Sequence, residues 1–169
     1  METTLRLHSL SYRETRTYIF AAAFAVGNIL LPQLLHLVPG GGLMWLPIYF
    51  FTLIAAYKYG LNVGLLTAIA SPLANYLLFG MPAAEVLPMI LMKSAVLAVL
   101  AAYASKYAKN ISLAIIVGVV LSAQLLGMLI EWAVVRDFFI AWQKVQIAVP
   151  GILLQIFGGY LVLRAIRNL

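Results

Sequence analysis

Apolar residues fall into six runs, each separated from the next by a short cluster of Gly, Pro, Asn or charged residues. Within a run the apolar character is nearly continuous, the pattern of a helix in lipid rather than of an amphipathic surface helix. The runs cover 17–37, 43–57, 61–78, 85–104, 111–135 and 143–163. They predict an all-α membrane bundle of six transmembrane helices, one domain over residues 1–169, with 1–16 a polar segment ahead of the first helix. The second run reaches only about 22 Å at about 1.5 Å per residue. That is short for a hydrocarbon core about 30 Å thick and predicts a re-entrant or thinned region beside it. Pro72 in the third run is expected to kink its helix and free backbone carbonyls for a cavity.

The charges orient these helices. Of eleven Lys and Arg residues, Arg6, Arg13, Arg16, Lys58, Lys106, Lys109, Arg164 and Arg167 fall on one side of the six-span topology. Positive charge resists translocation, so that side is cytoplasmic and both termini lie inside. Lys93, Arg136 and Lys144 fall with Glu85, Glu131 and Asp137 on the outer side. Trp45, Trp132 and Trp142 mark the outer boundary, and Tyr18, Tyr57, Tyr59, Tyr103, Tyr107 and Tyr160 the inner one, as an aromatic belt. The outer turns are Pro39 to Gly42, Phe79 to Ala84 and Arg136 to Trp142.

Composition narrows the function classes. Hydrophobic residues make up 64% and charged residues 9%, against roughly 25% charged in soluble domains. Six spans nearly exhaust 169 residues and leave no soluble catalytic domain. The net charge of +6 is scattered over loops and ends, which fits orientation and anionic lipid and argues against nucleic acid. Cysteine is absent, which removes disulfides, thiolate metal sites and a cysteine nucleophile. No small-residue cleavage site follows the first run, so it reads as a retained helix.

Candidate chemistry concentrates in the outer half. Lys93 lies two turns into the fourth run, where an unpaired ammonium costs about 2.5 to 3.5 kcal/mol. Three readings stand: it snorkels outward, it pairs with Glu131 or Glu85, or it meets an anionic ligand. Glu131, one turn from the outer end of the fifth run, is either an interfacial carboxylate in water or a ligand contact. Gln33, Asn75 and Gln146 are hydrogen-bonding side chains in the outer third, suited to orienting a polar ligand and equally to joining helices. Trp45 and Tyr49 offer flat surfaces for stacking. Ala21 and Ala25, one turn apart in the first run, form a small-residue face for docking a partner helix or for packing within the bundle. His8 and His36 are too far apart for a metal pair. With no HExxH, GxSxG or P-loop, the chain reads as a non-enzyme without a cofactor or metal site.

The run Gly42-Leu43-Met44-Trp45-Leu46-Pro47, then Lys58-Tyr59-Gly60-Leu61-Asn62-Val63-Gly64, then Gly80-Met81-Pro82 and Leu87-Pro88-Met89, resembles the second to fourth helices of the substrate-binding S components of energy-coupling factor (ECF) vitamin transporters. The Ala21-x-x-x-Ala25 face resembles the one by which S components dock onto the coupling subunit. The resemblance implies a six-helix subunit in a bacterial or archaeal inner membrane that captures a vitamin-like solute from outside. Such a subunit delivers it through a membrane coupling subunit and two ATPases. In such a subunit the candidate site residues are Gln33, Trp45, Tyr49, Asn75, Lys93, Glu131 and Gln146, and the loops Pro39 to Gly42 and Phe79 to Ala84 would close over the ligand. Similar S components often carry His after Leu-Pro in the second helix and Glu five residues after Pro in the fourth. This chain has Tyr49 nearby and Lys93, which points to an anionic micronutrient such as pantothenate or lipoate. A non-transporting scaffold, similar in size and span count to the rod-shape protein MreD, is the alternative.

Overall fold

The computed structural model describes residues 10–35, 44–108 and 110–167. They are helical, with no strand among the described residues: α1 (Thr15–Leu35), a 3-10 turn (Pro47–Tyr49), α2 (Phe50–Tyr59), α3 (Leu61–Phe79), α4 (Leu87–Ala108), α5 (Leu113–Val135), α6 (Phe138–Ile147), α7 (Val149–Leu153), a π turn (Leu154–Gly158) and α8 (Gly159–Ala165). Among the described residues α3, α4 and α5 are each long and apolar enough to cross a membrane. A fourth crossing arises if α6 and the helix from Val149 to Ala165, bent by 56° at Ala148, count as one. Large apolar side chains such as Ile19, Leu77, Val134, Phe139 and Leu161 point outward, which fits a multi-pass membrane protein.

The short α2 is the hub. Leu53, Ile54, Ala55, Ala56, Tyr57 and Lys58 are all fully buried, because α1, α3, α4 and the last helix pack around it. Apolar residues on every face are what such a position requires. Small residues set how close the neighbours come. A Cβ on Gly64 of α3 would lie 2.4 Å from Cβ of Ala56, and one on Gly27 of α1 would lie 2.8 Å from the Phe51 ring. Gly60, at φ 88, makes the turn between α2 and α3 in a conformation that favours glycine.

Hydrogen bonds gather the chain at this turn. Leu10 N donates to Tyr59 O at 3.4 Å and Asn62 Nδ2 to Leu10 O at 2.8 Å. The Tyr57 hydroxyl donates to Asn110 O at 2.8 Å, and Lys58 Nζ to Arg167 O at 3.0 Å. The segment before α1, the α4–α5 connection and the last residues of the described chain therefore meet at one end of the bundle.

Three expectations change. The second run is interrupted rather than continuous: Met44 and Trp45 are helical, Leu46 takes a left-handed conformation (φ 46), Pro47 opens a 3-10 turn, and α2 begins at Phe50. The expected loop from Arg136 to Trp142 contracts to a two-residue turn. Arg136 closes α5 at φ 59, and the Asp137 carboxylate accepts from Ile140 N at 3.1 Å, capping a helix that already contains Trp142. The last helix is broken rather than continuous: the ring of Pro150 conflicts with the carbonyl of Gln146, and the chain bends at Ala148. By contrast α3 runs through Pro72 without interruption.

Candidate functional site

At the end of the bundle away from the Gly60 turn, α4, α5 and α6 each contribute one charge. Glu131 is 2% exposed. Its Oε2 accepts from Lys93 Nζ and its Oε1 from Lys144 Nζ. Gly127, one turn before Glu131, makes room for the stem of Lys93: a Cβ there would come within 3.2 Å of Lys93 Cγ. Tyr49 is buried on the 3-10 turn. Two ammoniums share one carboxylate, so the cluster carries one positive charge in excess. A buried carboxylate needs such compensation, and each oxygen has its own partner here. The lysines differ in access: the Lys93 side chain is 23% exposed and that of Lys144 42%.

A second polar cluster lies between α1, α2, α3 and α4 and carries no charge. Asn28 Nδ2 donates to Thr52 Oγ1 and to Ser71 Oγ, both at 3.0 Å, while its Oδ1 accepts from Phe51 N at 3.0 Å. That last bond satisfies a backbone donor left over at the start of α2. Asn75 Nδ2 donates to Asn28 O and Ser71 O, both at 3.1 Å. The Thr52 and Ser94 hydroxyls approach to 3.5 Å and extend the cluster to α4. All five side chains are at most 3% exposed.

Of the residues expected to bind substrate, Lys93 and Glu131 come together. Asn75 does not join them; its amide hydrogens are spent inside the neutral cluster. Gln33 is half-buried on α1 and makes no side-chain hydrogen bond to a described residue, Trp45 is half-buried ahead of the 3-10 turn, and Gln146 is exposed on α6. Glu85 is exposed, leaving Glu131 as the partner Lys93 takes. The gate loop Pro39 to Gly42 lies outside the described residues, as do His8 and His36.

Ala21 and Ala25 face into the bundle. They are 5% and 7% exposed, and Ala21 packs with Ala55, Tyr59 and Val63. Their small side chains let α1 approach α2 and α3, with Phe20 stacked on Tyr59 at 4.2 Å between ring centroids. The face that α1 leaves open carries Ile19, Ala22, Ala23 and Val26 instead. Sequence reasoning also missed Lys144, which it placed on the outer side without a partner, and Thr52, Ser71 and Ser94, whose small hydroxyls give no signal in an apolar run. Glu131 thirteen residues before Lys144 was the one available clue.

Comparison of the chain with protein-family models, curated proteins and solved structures finds no match.

Proposed function

We propose that this chain is the substrate-capture subunit of an ECF-type importer, crossing a bacterial or archaeal inner membrane six times with both termini in the cytoplasm. It takes up a small anionic, vitamin-like solute from outside. The observation that carries this reading is the excess positive charge of the Lys93–Glu131–Lys144 cluster, with the Lys144 side chain 42% exposed. A carboxylate arriving there exchanges water for Lys144 and completes the neutralisation, which is a reason for an ammonium to be kept at that depth. ATP hydrolysis belongs to partner subunits reached through a coupling subunit, since the chain has no P-loop. On α1 that contact falls to the open face around Ala22, Ala23 and Val26.

Native mass spectrometry of the purified protein tests this. A retained organic anion, lost in Lys144→Met, is the expected result. A wild-type protein that retains nothing and binds neither pantothenate nor lipoate would return the chain to the scaffold reading. Orientation is tested separately: a cysteine at Ala84 reacts with an impermeant thiol reagent in intact cells, and one at Lys106 does not.

A further inference from the structure

The last helix ends beside a recess of about 510 Å³ lined by Leu161, Arg164, Ala165 and Arg167. It opens outward, since Leu161, Arg164 and Ala165 are all exposed. Lys58 fixes its place in the bundle: the buried ammonium donates to Arg167 O at 3.0 Å and ties the end of the last helix to the Gly60 turn. Neither arginine makes an ion pair with a described residue. In the described part of this end Arg13, Arg16, Lys58, Lys106, Arg164 and Arg167 stand against a single carboxylate, Glu14, which accepts from Ser11 N at 2.9 Å. Positive charge is in surplus here.

Beneath the recess the same helix turns an apolar stripe outward. Leu153, Phe157 and Leu161 are 48%, 54% and 62% exposed and follow one another at intervals of four residues. From Leu153 to Arg164 the helix rises about 16 Å at about 1.5 Å per residue, which matches one leaflet of a hydrocarbon core about 30 Å thick. The arginines then stand at headgroup depth. A guanidinium at a helix C-terminus also complements the carbonyls there, which accounts for one arginine but not for a pair lining a recess.

We infer that this recess seats the phosphate of an anionic phospholipid, with one acyl chain lying along Leu161, Phe157 and Leu153. Guanidinium forks match phosphate oxygens, and basic recesses at the ends of membrane helices suit such headgroups. A zwitterionic lipid brings its own ammonium against the surplus positive charge, whereas a glycerol headgroup brings none. An acidic protein surface would satisfy the arginines and leave the stripe beneath them uncovered, so the stripe favours lipid. The site lies at the opposite end of the bundle from Glu131 and does not depend on solute capture. Only its assignment to the cytoplasmic leaflet rests on the proposed orientation.

Native mass spectrometry of the purified full chain in detergent, titrated with phosphatidylglycerol or phosphatidylethanolamine of matched acyl chains, tests it. Phosphatidylglycerol is expected to be retained more tightly by the wild-type protein, a comparison that needs no variant. Arg164→Gln with Arg167→Gln should weaken its binding roughly tenfold to thirtyfold. Arg13→Gln with Arg16→Gln, which removes the same charge from exposed positions at the same end, should leave it nearly unchanged. Soluble glycerol phosphate in excess should not displace the lipid. Equal retention of the two lipids, or equal losses in the two double variants, overturns the inference in favour of diffuse charge attraction. Displacement by glycerol phosphate overturns it in favour of a free-anion site, and unchanged phosphatidylglycerol binding without Arg164 and Arg167 overturns it and leaves the recess to a protein partner.

Discussion

The two polar clusters are built from the same ingredients, buried hydrogen-bonding side chains on neighbouring helices, yet they end in opposite states. Around Asn28 the amide hydrogens are committed: both Asn28 Nδ2 and Asn75 Nδ2 donate twice, and Asn28 Oδ1 takes the Phe51 N–H. Nothing there invites a newcomer. Around Glu131 the carboxylate is satisfied but the lysines are not neutralised, and Lys144 stays in contact with the surroundings. Saturation separates a fastening from a receptive site, because a group whose partners are all inside the chain gains nothing from a ligand. Asn75 and Lys93, both candidates for one site in the sequence, therefore lie in different clusters.

The largest effect should come from removing the charge that holds the receptive cluster together. Glu131→Ala leaves two ammoniums facing each other and should cost about 3 kcal/mol of stability, measured by unfolding in detergent; a loss no larger than that of a single hydroxyl would show that the lysines escape to water. Asn28→Leu follows. It strands Phe51 N–H and takes one hydrogen bond from each of the Thr52 and Ser71 hydroxyls, for about 2 kcal/mol, and should leave solute binding intact wherever the folded protein is recovered. Loss of binding in a folded Asn28→Leu would erase the distinction between the clusters.

Lys93→Met should reduce affinity for an anionic probe roughly tenfold to a hundredfold. If the residue serves only Glu131, affinity holds and stability falls, with rescue by Glu131→Gln. The smallest change is Thr52→Val, at the margin of the neutral cluster. Interhelical hydrogen bonds of this kind average about 0.6 kcal/mol, and a shift of that order with unchanged binding would mark the hydroxyl as one fastening among several.

Helix positions were legible to the extent that lipid dictates them. The runs 61–78 and 111–135 match α3 and α5 within two residues, because a span in lipid must be both apolar and helical. Where a single residue overrides the run, the reading failed. Asp137 reads as a loop charge until its carboxylate is seen capping α6, and Pro150 reads as tolerable until the chain bends ahead of it. The charged cluster was legible in kind and not in membership. Lys93 and Glu131 stand out as rare charges in apolar sequence, but Lys144 is at a helix end where a lysine is unremarked. The Ala21 and Ala25 pair was visible as a close-packing face, and which side it serves depends on where α2 lies. No local pattern encodes that.

The brevity of α2 bears on how the protein is made. Ten helical residues extend about 15 Å, half the thickness of the hydrocarbon layer, so the segment is a poor client for a machinery that recognises spans by length and apolarity. Gly60 folds it back on α3, and the contact between Gly64 and Ala56 makes the pair one unit. The two should enter the bilayer as a hairpin during synthesis. In a glycosylation-reporter assay α2 alone should be translocated while α2 with α3 is retained, and Gly64→Leu, which pries the hairpin apart, should lower the retained fraction.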